Sequence, residues 1–228
     1  MFQQSNPVRT KVHAVAGLNP RAGFSLIELM AVMVILAILM TFLAFRLGSL
    51  GETAKYATTE QFLHQVGGAA SAYEQETGDY PPSKWQSEWG PTPNKSNLGV
   101  EVLCATLWGD SGGGFGISED RLLNFDADEA KKNLTSHANN DLFELADDWG
   151  NPIAYFHRQD YGRLDSYLTV DERGIEGESV VKALKNPVTG NYYNPRSFQL
   201  ISAGEDGVFG GEESDDIYNF KWTEGGSN

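Results

Sequence analysis

The chain has 228 residues, with 17 Lys+Arg against 31 Asp+Glu and a formal net charge of −14. That length suits one domain with room for an appendage, and 40% hydrophobic residues with a mean hydropathy of −0.36 exclude a multi-span membrane protein or a disordered chain. A pI near 4.6 argues against a nucleic-acid or anionic-lipid surface, and the lone Cys104 excludes an intrachain disulfide or a multi-cysteine metal site.

The charge is unevenly spread. Residues 1–23 hold Arg9, Lys11 and Arg21 and no acid, so this segment is +3 and the rest carries −17. Phe24 to Phe45 then reads FSLIELMAVMVILAILMTFLAF, with Glu28 as its single charge. As a helix at about 1.5 Å per residue the run spans roughly 33 Å, enough to cross a bilayer core. The basic flank predicts a cytoplasmic N-terminal side and an exported remainder. A plain signal anchor would explain the apolar run, whereas a cleaved secretory signal would be shorter and followed by a small-residue cleavage site. Glu28 sets the segment apart, because an unpaired carboxylate at that depth costs on the order of 3 kcal/mol. A chain cut just before Phe24 would carry a new amine able to pair with such a carboxylate on a neighbour.

The stretch Arg21-Ala22-Gly23-Phe24-Ser25-Leu26-Ile27-Glu28-Leu29 resembles the type IV prepilin signature. The resemblance implies a basic leader, 1–23, cut after Gly23 by a membrane aspartyl peptidase that also N-methylates Phe24. It implies that Glu28 acts in assembly. Residues 24–46 would then remain on the mature protein as a transmembrane helix and, later, as the core of a filament.

Past Arg46, apolar or small residues fall at Leu47, Leu50, Ala54, Ala57, Phe62, Val66, Ala69 and Tyr73. Spacing of three and four predicts an amphipathic helix over 47–78. Glu52, Lys55, Thr58, Thr59, Glu60, Gln61, Gln65, Glu74 and Gln75 form its polar face. The helix should stop near Gly78, since Tyr80-Pro81-Pro82 cannot continue it. Gly48 and Gly51 each weaken it by roughly 1 kcal/mol relative to alanine, which either is tolerated or lets the helix stretch during assembly.

Residues 79–228 read as a loop-rich α/β head. Leu98–Trp108 is a predicted short helix with Cys104 buried in it, and Asp126–Lys132 a predicted further helical turn or two. Ser111–Gly116 is a glycine-rich loop without the Gly-Lys-Ser/Thr of a phosphate loop. Strands are expected at Ile153–His157, Ser166–Val170 and Ser197–Ser202, with a Gly/Asn/Pro-rich insertion at 172–196. The predicted fold class is α+β: a long N-terminal helix, half transmembrane and half amphipathic, packed on a small antiparallel sheet of three or four strands, pilin-like. Asp148-Trp149-Gly150-Asn151-Pro152 resembles the sheet entry of the major, G-type pseudopilins of type II secretion. The 83–148 stretch is longer than that resemblance implies.

From Glu205 to Asp216 there are six acids and no base. Such a loop is either solvated or neutralised by a bound cation, and carboxylates with glycine-directed carbonyls suit Ca²⁺. EF-hand spacing is absent. Ser202-Ala-Gly-Glu-Asp206-Gly-Val208 with Asp215-Asp216-Ile217-Tyr-Asn219-Phe220 resembles the C-terminal calcium loop of the G-type pseudopilins. The resemblance implies carboxylates from Asp206, Asp215 and Asp216 and backbone carbonyls from Ala203 and Val208, with Glu213 a weaker carbonyl candidate.

His13, His64, His137 and His157 lie too far apart to suggest zinc, and no Gly-x-Ser-x-Gly nucleophile motif occurs. The adjacent acids Asp147 and Asp148 are expected to be solvated or capping rather than catalytic. The resemblance implies a non-enzymatic subunit of a type II secretion pseudopilus, single-pass in the bacterial inner membrane with a periplasmic head. Implied partners are further copies of itself, minor pseudopilins, the prepilin peptidase/N-methyltransferase, the inner-membrane assembly platform and the membrane, with no nucleic acid. The alternatives are a type IV pilin or minor pilin for adhesion, motility or DNA uptake and, more remotely, a membrane-anchored enzyme or calcium-binding module.

Overall fold

The computed structural model describes residues 24–92, 94–109, 113–210 and 214–223. The leader 1–23, Gly23 with it, and Glu213 lie outside the described residues, as do the side chains of Leu47 and Leu50. The chain divides into two compact units between Leu47 and Gly48.

Helix α1 runs Leu26–Thr77. In the first unit its window Leu26–Leu43 has a mean hydropathy of 2.7, and none of it is buried within the chain. So large an exposed apolar surface requires a lipid or protein cover. Thr41 turns its hydroxyl back onto the Ala37 carbonyl at 2.8 Å, which hides a polar donor on this face.

In the second unit the buried stripe of α1 is Thr59, Phe62, Leu63, Val66, Ala69 and Ala70. Ala54 and Ala57, expected on that stripe, are exposed. Thr59, expected on the polar face, is fully buried because its hydroxyl bonds the Asp148 carboxylate at 3.0 Å. The helix ends where the sequence predicts. Gly78 takes φ +90, which only glycine adopts cheaply, and donates its N–H to the Glu74 carbonyl at 2.8 Å.

Helix α2, Leu98–Leu107, matches its expectation, and Cys104 is buried in it. A Cβ on Gly99 would lie 2.5 Å from the Tyr155 carbonyl oxygen, so the first turn of α2 sits directly on the neighbouring backbone. The helical turn expected over Asp126–Lys132 does not form. Asn124 captures the backbone instead: its Nδ2 donates to the Asp128 carbonyl at 2.9 Å and its Oδ1 accepts the Asp128 N–H at 3.1 Å. Such side-chain capture competes with helix formation.

There are three small antiparallel sheets among the described residues rather than one. Strand β1 (Leu122–Leu123) pairs with β2 (Glu144–Leu145). Strand β3 (Ala154–His157) pairs with β6 (Phe198–Ser202) in the register Ala154↔Ile201, and β6 pairs with β7 (Ile217–Tyr218) through Ser202↔Ile217. Strand β4 (Leu164–Val170) forms a hairpin with β5 (Glu176–Lys182), whose turn places Gly174 at φ +76. Strands β3, β4 and β6 fall on the predicted segments. Strand β5 lies inside the supposed insertion 172–196. It buries Val181 alone, so no alternation of apolar residues marks it. The core joins the α1 stripe to Leu103 and Trp108 of the α2 region and to Tyr155, Phe156, Tyr167 and Leu200 of the sheets. The α+β class and the apolar helix followed by small antiparallel sheets agree with the pilin-like fold.

Candidate functional site

Three places carry chemistry. The first is the start of α1. Ser25 precedes the helix and its carbonyl accepts the Leu29 N–H at 3.1 Å. The Glu28 carboxylate reaches back to accept the Ser25 N–H at 2.8 Å. Ser25-x-x-Glu28 thus forms the returning half of a capping box, a local role for Glu28 that its spacing from Ser25 already encodes. The contact holds the carboxylate at the helix N-terminus, beside exposed Phe24.

The second place is the C-terminal loop. At its root the Ser202 hydroxyl donates to Asp147 Oδ2 at 2.7 Å. Gly204 and Gly207 both take φ +66. A Cβ on Gly204 would lie 2.5 Å from Asp215 Cγ, and one on Gly207 would lie 2.3 Å from the Val170 carbonyl oxygen. Both positions therefore need glycine for conformation and for space. Asp215 Oδ2 accepts the Tyr56 hydroxyl at 2.7 Å, the Glu205 N–H at 2.6 Å and the Asp206 N–H at 3.3 Å. Asp206 Oδ1 accepts the Val208 N–H at 2.8 Å. Asp216 turns to other donors, the Gly210 N–H at 2.8 Å and the Tyr218 hydroxyl at 3.1 Å. The loop thus brings Asp206 and Asp215 together and leaves Asp216 beside them on its own donors. Ala203 is buried and Val208 exposed.

Burial, then the Asp215 charge, pushes Asp206 above the ordinary carboxylate range, and burial raises Asp216 to about 6. Asp215 Oδ1 and Asp216 Oδ1 are buried without a hydrogen-bond partner. No ion pair among the described residues reaches these three acids. The orphaned oxygens and the glycine cradle offer hard oxygen donors of the kind Ca²⁺ takes, while the three carboxylates do not all come within 4.8 Å of one another here.

The third place was not foreseen. Among the described residues, Glu101, Asp126 and Glu144 each offer a carboxylate oxygen within 4.8 Å of the others. Glu101 lies in the first turn of α2, Asp126 in the Asn124–Asp128 loop and Glu144 in β2, so no local motif announces the group. Burial, then the neighbouring acids Asp128, Glu144 and Asp126, lifts Glu101 to about 10. Burial likewise lifts Glu144 to about 8 and Asp128 to about 7.

Of the adjacent acids, Asp147 takes the capping role expected at the turn, and Asp148 is half-buried and bonded within the fold. Asp147 is buried and accepts the Trp149 and Asn151 N–H groups, each at 3.0 Å. Asp148 binds the hydroxyls of Thr58 and Thr59 at 2.6 and 3.0 Å and Arg121 at 2.9 Å, tying α1 to the turn before β3. Burial raises Asp148, but these three partners outweigh it and hold the group below the ordinary carboxylate range.

No curated protein and no solved structure matches the chain. Residues 18–44 match the family model described as the prokaryotic N-terminal methylation motif. The matched segment covers the Gly23-Phe24 junction, Glu28 and the helix window long and apolar enough to cross a membrane. Together the motif, the apolar helix and the α+β fold support a membrane-anchored, type IV pilin-like protein of the prepilin-processed kind.

Proposed function

We propose that the chain is a structural subunit of a type II secretion pseudopilus, cut after Gly23, N-methylated on Phe24 and polymerised through residues 24–46. The methylation motif at residues 18–44 carries this reading. In it, residues 47–78 and the head 79–228 become periplasmic, and the chain is single-pass in the inner membrane before assembly. Its partners are further copies of itself, minor pseudopilins, the prepilin peptidase and the assembly platform.

Glu28 is the registering group. Its carboxylate is held at the start of α1 by the Ser25 N–H. The methylated amine of an incoming Phe24 would pair with it in the apolar core, where an unpaired charge is costly. The acidic loop supports the secretion reading over a pilus. Asp206, Asp215 and Asp216, with the Ala203 and Val208 carbonyls, would hold Ca²⁺. Bound Ca²⁺ supplies two positive charges to a loop of six acids. Gly204 lets the backbone fold tightly around Asp215, and Gly207 lets it pass close to the Val170 carbonyl.

Mass spectrometry of the mature N-terminus should find N-methyl-Phe24, and an intact leader or a cut elsewhere overturns processing at this site. Glu28→Ala should leave cleavage intact and reduce filament yield at least tenfold, while normal yield removes Glu28 from assembly. Deleting the gene should abolish export of secreted enzymes. Loss of adhesion, motility or DNA uptake with export intact would instead identify a type IV pilin or minor pilin.

A further inference from the structure

We infer that the head holds a second site for a hard divalent cation, Ca²⁺, built from Glu101, Asp126 and Glu144 with Asp128 beside them. It shares no residue with the C-terminal loop. One carboxylate oxygen from each of Glu101, Asp126 and Glu144 lies within 4.8 Å of the other two. Three oxygens no more than 4.8 Å apart share a centre at most about 2.8 Å from each, so side-chain shifts of about 0.4 Å bring all three to the roughly 2.4 Å of a Ca²⁺–oxygen bond.

Glu101 provides the independent observation. It is 0% exposed, its carboxylate faces the other two acids, and neither of its oxygens has a hydrogen-bond partner. Native proteins rarely leave a buried polar atom unpartnered, and a bare buried carboxylate is among the most costly cases. Asp126 Oδ1 and both oxygens of Asp128 are also buried and unpartnered. No ion pair among the described residues engages any of the four acids.

The remaining contacts hold the carboxylates in place. Asp126 Oδ2 accepts Asn94 Nδ2 at 2.7 Å, and Glu144 accepts Asn97 Nδ2 at 3.0 Å and the Phe125 N–H at 2.8 Å. Asn97 also holds β4 by accepting the Leu168 N–H at 2.9 Å, and the close approach at Gly99 fixes the turn that carries Glu101. The ligands thus stand on a helix, a strand and a loop closed by Asn124, oriented before any ion arrives. With only carboxylate oxygens, Glu101 and Glu144 fully buried and Asp126 half-buried, the site suits Ca²⁺ better than zinc, which favours nitrogen and sulfur, or Mg²⁺, which retains several waters.

The full chain in detergent micelles, stripped with EDTA and re-equilibrated with Ca²⁺, tests the site by native mass spectrometry. The double variant Glu101→Gln with Asp126→Asn should bind one ion fewer than the wild type, and Asp206→Asn with Asp215→Asn should keep the ion that the first variant loses. Equal binding by the wild type and the Glu101/Asp126 variant overturns the site and leaves the acids sharing protons instead. If only the C-terminal loop reading is wrong, the Asp206/Asp215 variant matches the wild type while the Glu101/Asp126 variant still loses its ion. Hydrogen exchange on the wild-type chain covers a variant that fails to fold. Added Ca²⁺ should slow exchange at least threefold in peptides spanning 98–103, 124–129 and 142–146, and unchanged exchange there overturns the proposal.

Discussion

The two acidic regions of the head are built in opposite ways. The C-terminal loop gathers its acids within twelve residues, Glu205 to Asp216, and shapes them with glycines at positive φ. The inner group takes Glu101, Asp126 and Glu144 from three distant stretches and buries two of them completely, Glu101 and Glu144 at 0% exposure. The loop depends on local backbone conformation, the inner group on how α2 seats against β2 and β4. A cation at the loop would close a chain end, whereas a cation at the inner group would join separate elements.

The largest expected effect breaks the loop alone. Gly204→Ala must force a Cβ into Asp215 at φ +66, so it should cost about 3–4 kcal/mol and be read as a lower melting temperature. Next, chelation should lower the melting temperature of the Glu101→Gln/Asp126→Asn variant, which keeps only the loop site, since an ion present at a hundredfold over its Kd stabilises by about 2.7 kcal/mol per site. Glu101→Gln sharpens the contrast through a change of sign. With EDTA at pH 8 it should stabilise by about 1–2 kcal/mol because it removes a buried acid with no partner, and with Ca²⁺ it should destabilise. Destabilisation under both conditions would leave Glu101 a purely structural residue. Tyr56→Phe removes one hydrogen bond to Asp215 and should cost about 1 kcal/mol, with the inner group unaffected.

The smallest effect lies outside both regions and serves as their control. Asp148 is held below its ordinary pKa in the folded chain. Its contribution to stability is therefore complete above the unfolded value of about 3.9 and is lost as pH falls through the lower folded value. Asp148→Asn should flatten that part of the acid limb of a melting-temperature profile and leave Ca²⁺ binding unchanged.

Legibility in the sequence followed locality. The end of α1 at Gly78, the extent of α2 and the positions of β3, β4 and β6 each rest on neighbouring residues: glycine and proline stops, apolar periodicity, turn signals. Strand β5 was hidden because one face meets solvent and only Val181 is buried. The expected turns at Asp126–Lys132 failed because Asn124 bonds both backbone groups of Asp128, an outcome that composition does not reveal. Thr59 reads as polar surface and Asp147 as a solvated or capping acid; both are buried, Asp147 does cap its turn, and each also has a partner far along the chain, Asp148 for Thr59 and Ser202 for Asp147.

By itself the sequence determined the apolar segment of α1, the Gly23-Phe24 junction with Glu28, the α+β class and the acids of the C-terminal loop. All of these depend on residues a few positions apart, where spacing fixes geometry. Only the tertiary structure decided that Asp215 meets Tyr56, that Asp148 anchors α1, and that Glu101, Asp126 and Glu144 converge. Those contacts exist because the core brings distant carboxylates out of water and next to whatever the fold provides, and no short-range pattern encodes that meeting.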